Sequence, residues 1–189
     1  MIYHKFIKSI GLNSQNTKII FVFLNRIINK EYIYMKTNLD DLKKEIPYKW
    51  RVQSTKYGKA TCVAYIDARD CMDILDEVVG AMNWQDRYYE ADGKLFCEVS
   101  IFAGECWVPK ADTGTESNVE KEKGKSSDAF KRACVKHGIG RFLYRLPMQI
   151  LQTKKHSNGR EYPYAPEKDL IITNGDTLTK YINWKLKNK

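Results

Sequence analysis

The sequence predicts an α+β fold, with helices packed on one face of an antiparallel three-stranded β-meander. Two observations carry this. Apolar residues recur at helical spacing in two separate segments, Cys71-Leu75-Val78-Met82 and Phe130-Ala133-Cys134-His137. Between those segments lie strand-like runs joined by short turns, an order that favours helices on an antiparallel sheet over alternating β-α-β units.

Residues 1–34 differ in character from the rest of the chain. They hold five Lys or Arg and one acid, Glu31, and are rich in Ile, Asn, Lys, Phe and Tyr. Translated non-coding, AT-rich DNA has that composition, and Met35-Lys36-Thr37-Asn38 reads as a conventional start. We therefore expect Met35 to be the initiator and residues 1–34 to be a gene-prediction artefact or a disordered leader. The alternative is a basic targeting segment, though without a visible small-residue cleavage site. Residues 35–150 form the expected folded domain and 151–189 a C-terminal tail of unassigned role.

A short helix starts near Asn38, with Asp40 and Asp41 in its first turn and Pro47 after its end. Strands come next over Trp50–Ser54 and Ala60–Ile66, around Tyr57-Gly58. Asp67 caps the next helix, with Asp70 completing a variant capping box and Gly80 near the C-terminal end. The meander then runs from Tyr88-Tyr89 through the hairpin signal Asp92-Gly93, along Leu95–Phe102, past Ala103-Gly104 and into Glu105–Val108. Residues 113–125 are polar and read as a loop. A second helix begins at Ser126 or Ser127 and stops at Gly138. The tail contains a strand-like Leu170–Thr173 and a basic end, Lys180–Lys189.

With 189 residues, 43% hydrophobic and 12% aromatic, the chain has material for a packed core. It holds 32 Lys and Arg against 23 Asp and Glu, a net charge of +9 that falls to +5 without the leader. Such a surplus fits a polyanionic partner. Five cysteines, an odd number with no C-x-x-C pair, support neither a disulfide framework nor a zinc site, and are expected to be reduced and mostly buried. No apolar run approaches the roughly 20 residues of a membrane span.

On the second helix, Lys131, Arg132 and Lys136 lie outside the apolar seam, and Arg141 and Arg145 come soon after. That arrangement suits tracking of phosphates. The alternative is a solvated face in which Asp128 pairs with Arg132. Gly124-Lys125-Ser126 is no phosphate loop, because the earlier glycine it needs is Val119 and the preceding residues are charged. Asp67, Asp70, Asp73 and Asp76 step by three and gather at no point. Asp112, Glu116 and Glu120 are assigned to the loop. The alternating Glu and Lys of Glu120–Lys123 leave a small metal-dependent nuclease or other repair enzyme open. His4, His137 and His156 are scattered, so no catalytic set is legible. Tyr57, Tyr65, Trp84, Tyr88, Tyr89 and Trp107 are candidates for base stacking; the core is favoured for Trp84 and Trp107.

Two long motifs, Ala64–Gly80 with Asn83-Trp84 and Lys123–Ala133 with Gly138–Tyr144, resemble the Rad52/Rad22 family, its phage and bacterial single-strand annealing members in particular. The resemblance spans about residues 37–147. It implies a β-β-β-α core and assembly into rings or short arcs, with single-stranded DNA in an outer basic groove and its bases left free. By the same resemblance Lys131 and Arg132 line an inner DNA groove, Lys94 belongs to an outer site, Tyr65 lies near the groove and Arg51 precedes the first hairpin. A third helix arginine of eukaryotic members falls on Val135, one residue before Lys136. Lys136 and Arg141 complete the expected DNA-binding set.

The expected function is ATP-independent binding of single-stranded DNA and annealing of complementary strands in recombination and double-strand break repair, without enzymatic activity, cofactor or metal. Expected partners are single-stranded DNA, duplex DNA, further copies of the chain, and a single-stranded DNA-binding protein or an exonuclease, with no membrane. The expected setting is the cytoplasm of a bacterial or phage-infected cell, at the nucleoid. An RNA-binding or adaptor domain is the remaining alternative.

Overall fold

In a computed structural model, which describes residues 38–114 and 121–188, eight strands and three helices follow a 3-10 turn at Leu39–Lys43. In chain order they are β1 (Lys49–Lys56), β2 (Lys59–Tyr65), α1 (Ala68–Val79), β3 (Trp84–Ala91), β4 (Lys94–Phe102), β5 (Trp107–Thr113), α2 (Lys121–His137), β6 (Gln149–Lys155), β7 (Glu161–Ala165), β8 (Leu170–Ile171) and α3 (Gly175–Lys187). The expected leader, the Met35 start, Val119 and the carboxylates of Glu116 and Glu120 lie outside the described residues.

The meander is present as a three-stranded antiparallel sheet in the order β3-β4-β5. Its first hairpin turns on Asp92 (φ 51°) and Gly93 (φ 68°), the paired positive φ values that make Asp-Gly a good two-residue hairpin turn. Cys97, Val99 and Ile101 point inward and are buried against Phe130, Ala133 and Cys134 of α2 and against Cys71, Ile74 and Leu75 of α1. Asp67 caps α1 as its sequence suggests: its side chain accepts from the backbone N–H groups of Arg69 and Asp70, and Asp70 accepts from the Asp67 N–H at 2.7 Å.

A second sheet has the order β1-β2-β6-β7-β8. Residues 149–171 thus complete a sheet begun by residues 49–65, and α3 covers one of its faces. Trp50, Cys62, Leu151, Leu178, Tyr181 and Ile182 form this second core. Tyr48 packs against both cores, with its ring 6.0 Å from Trp50 and 5.8 Å from Phe142.

Several expectations need correction. The first helix is a 3-10 turn capped by Asn38. Helix α1 ends at Val79, since Gly80 adopts φ +88°; Met82 therefore falls off the apolar face and is 88% exposed. Strand β5 runs to Thr113, so Asp112 is a strand residue, not a loop residue. It reads poorly as a strand because it lies at the sheet edge, where Pro109 is tolerated. Helix α2 begins at Lys121, before the expected serines, because Lys and Glu are good helix formers however polar the run. Trp84 packs partly buried against the first core, 6.1 Å from Phe130. Trp107 does not: it lies exposed on the outer meander face beside Phe102. Cys62, Cys71, Cys97 and Cys134 are buried free thiols and Cys106 is exposed.

Candidate nucleic-acid interface

The β1-β2 hairpin and helix α2 belong to different layers, and a cleft of about 530 Å³ opens between them. One wall carries Arg51, Gln53, Val63 and Tyr65; the other carries Asp128, Lys131, Arg132 and Val135. The segment after α2 closes one end with Leu143, Tyr144, Leu146 and Met148. Of the seven residues expected to bind DNA, Arg51, Tyr65, Lys131 and Arg132 meet here. Pairing across the hairpin sets Arg51 opposite Val63, two residues from Tyr65, so all three share one sheet face. The Arg51 guanidinium lies 5.7 Å from the Tyr65 ring centre, a cation–π contact that orients both.

Helix periodicity sorts the other wall. Phe130, Ala133 and Cys134 face the meander and are buried, which turns Lys131, Arg132 and Val135 toward the cleft and its rim. His137 ends the apolar seam, with a ring nitrogen 2.8 Å from the Val99 carbonyl. Burial holds its pKa below the ordinary 6.5, and nearby Lys110 acts in the same sense.

Three expected residues lie elsewhere. Lys94 starts β4 at the meander hairpin, away from the cleft lining. Lys136 donates to the Ala111 carbonyl and lies 3.5 Å from Asp112. Arg141 donates to the carbonyls of Val135 and Lys136, and Lys110 donates to the same Lys136 carbonyl. The Arg141 and Lys110 contacts add donors to the last carbonyls of α2 and place positive charge at the negative end of the helix dipole, whereas Lys136 ties α2 to β5.

Sequence reasoning missed the partner of Arg132. Asp112 on β5 accepts from Arg132 at 3.4 Å. Partial burial pulls the Asp112 carboxyl upward, but the Thr113 N–H, Arg132 and Lys136 outweigh it and hold the pKa below 3.8. The alternation Val108, Lys110, Asp112 along an inward strand face would have signalled it, had the strand been recognised.

Gly124-Lys125-Ser126 lies inside α2, so its backbone N–H groups cannot cradle a phosphate as a loop would. The spaced aspartates of α1 have structural uses: Asp67 and Asp70 cap the helix, and Asp76 accepts from the Trp84 indole at 2.6 Å. Among the described residues no three His, Cys, Asp or Glu are grouped to hold a metal ion, and no helix is long and apolar enough to cross a membrane.

A family model described as Rad52/22 family double-strand break repair protein matches residues 31–162. The single-stranded DNA-binding protein DdrA of Deinococcus radiodurans is 35% identical over 115 residues, 58% of this chain and 53% of that protein. DdrA of Deinococcus deserti is 35% identical over 94 residues, 49% of this chain and 46% of that protein. The chain thus spans about half the length of the curated relatives it matches. No solved structure gives a significant match.

Proposed function

The chain belongs to the Rad52/22 family of double-strand break repair proteins, and from that premise we propose that it binds single-stranded DNA in the cleft between β1-β2 and α2 and anneals complementary strands without ATP, in recombination and break repair. The observation that carries this is the convergence of Arg51, Tyr65, Lys131 and Arg132, from two layers of the fold, on one open cleft.

Annealing needs two things at once. The repulsion between two strands has to fall, and the base edges have to stay open. Arg51, Lys131 and Arg132 serve the first by neutralising phosphates and releasing their counterions. The second is met if the sugar–phosphate chain occupies the cleft floor and the bases point to solvent, with Tyr65 offering a stacking surface. No bond is made or broken, so neither a catalytic set nor a nucleotide site is needed. The names of the Deinococcus relatives, both single-stranded DNA-binding proteins, support the same ligand.

Oligomerisation belongs to the proposal. One cleft grips a strand weakly, and copies side by side would add their contacts along it. Lys94 would then serve a second strand or duplex DNA at the meander hairpin. A single-stranded DNA-binding protein or an exonuclease is the proposed source of loaded strands, and the nucleoid the proposed place.

Competition among single-stranded DNA, duplex DNA and RNA of matched sequence, at several stated salt concentrations, tests the ligand. Single-stranded DNA should compete best. Preference for RNA would favour an RNA-binding role. Fragments produced from labelled DNA with a divalent metal would favour a nuclease.

A further inference from the structure

We propose that the single-stranded DNA track does not end at the cleft but continues across the open face of the five-stranded sheet, over β2 and β6 to Tyr162 and Tyr164 on β7. This inference rests on the cleft being the DNA site, and extends it to a surface built largely by residues 149–165.

Strand register fixes which residues share that face. Arg51 pairs with Val63, Thr61 with Ile150, Lys59 with Gln152, and Lys154 with Tyr162; paired residues in an antiparallel ladder point the same way, as do residues two apart. One face therefore carries Arg51 and Tyr65, then Thr61 and Ile150, then Lys59 and Gln152, then Lys154, Tyr162 and Tyr164. The opposite face holds Trp50, Cys62 and Leu151 and is sealed by α3. The outer face is open: Ile150 is 63% exposed, and Lys59, Gln152 and Lys154 are also exposed. From β1 to β7 it extends three strand spacings, about 14 Å.

Its chemistry matches the cleft. Strands β1, β2, β6 and β7 contain one acidic residue between them, Glu161, and it points to the other face, where Thr153 donates to it. On the open face Arg51, Lys56, Lys59 and Lys154 supply cations, and Lys49 is paired with Asp67 at 3.1 Å. The Lys154 ammonium lies 4.6 Å from the Tyr164 ring centre, repeating at the far end the Arg51–Tyr65 contact of the cleft. Asp169 binds the Tyr164 hydroxyl and lies 3.3 Å from Lys154, which fixes both side chains at the surface. A basic strip interleaved with aromatic rings is the surface that a single strand requires, phosphates on cations and bases on rings.

The test measures binding of labelled oligo(dT), short and long, against salt concentration, for four proteins. They are the full chain, Lys131→Ala/Arg132→Ala in the cleft, Lys59→Ala/Lys154→Ala on the open face, and Lys155→Ala/Lys180→Ala as an equal-charge control on the covered side. Removing Lys59 and Lys154 should weaken the long oligonucleotide several-fold, leave the short one nearly unchanged, and make the salt slope shallower by about 1.4, at roughly 0.7 per lost phosphate contact. The control should keep the slope of the full chain. Photo-crosslinking of bromodeoxyuridine-substituted DNA should also label Tyr162 or Tyr164. Equal losses in the open-face and control pairs, or no loss in the open-face pair while the cleft pair loses binding, would overturn the track alone. No loss in the cleft pair would overturn the reading beneath it.

Discussion

Arg132 and Asp112 are 20 residues apart in sequence and 3.4 Å apart in the fold. The cations of α2 were legible because helical spacing separates them from the buried seam at Phe130, Ala133 and Cys134. The alternative pairing of Arg132 with Asp128, one turn away, could not be dismissed from spacing, and Asp112 could not be found, because its strand was hidden in a polar run. At this scale, Lys131→Ala/Arg132→Ala should weaken single-strand binding across sequences and flatten its salt slope by about 1.4, measured by titration at several salt concentrations. His137 makes a pH prediction. Its folded pKa is depressed, so the native state resists protonation that the unfolded chain accepts. Stability should be complete above the unfolded value near 6.5 and decline as pH falls below it. Denaturant melts of His137→Gln should show a smaller loss over that window. Asp112 has the same sign, with its contribution lost only below 3.8.

Elements were read best where a local chemical signal marked them. The Asp67 capping box, the Asp92-Gly93 hairpin and the glycine stops of α1 and α2 are such signals. Boundaries failed where a polar run was read as a loop. The polar residues of β5 are strand because they lie on a sheet edge, and Lys121–Lys125 are helix because no glycine or proline cluster breaks the run. Gly114 shows what such positions demand: a Cβ there would collide with the Lys125 carbonyl oxygen, so β5 meets α2 with no room for a side chain. Gly114→Ala should therefore lower the thermal midpoint. Phe130→Ala empties the contact between α2, the meander and Trp84, and should cost about 3–5 kcal/mol in denaturant melts, far more than any exposed cleft substitution. Asp67→Ala should cost about 1 kcal/mol by removing the cap of α1.

At the scale of the whole molecule the α+β class and the β-β-β-α order were legible, and the second sheet was not. Pairing of β2 with β6 joins residues about 90 apart, and nothing local in Gln149–Lys155 names its partner. The tail read from sequence thus supplies most of three of the five strands of a sheet, and the cleft is the seam where that sheet meets α2. Its two walls come from the two family-like motifs and their flanks, so the candidate site was legible in part: Arg51, Tyr65, Lys131 and Arg132 converge, whereas Lys136 turns to β5 and Arg141 to the end of α2. The measurement that bears most directly on annealing in the cleft is the rate at which complementary fluorescent oligonucleotides join, without nucleotide, in the presence of the full chain or of folded Lys131→Ala/Arg132→Ala. Strong acceleration by the full chain, and its loss in the double variant, is the expected result. No acceleration by the full chain, or equal acceleration by both, would contradict it.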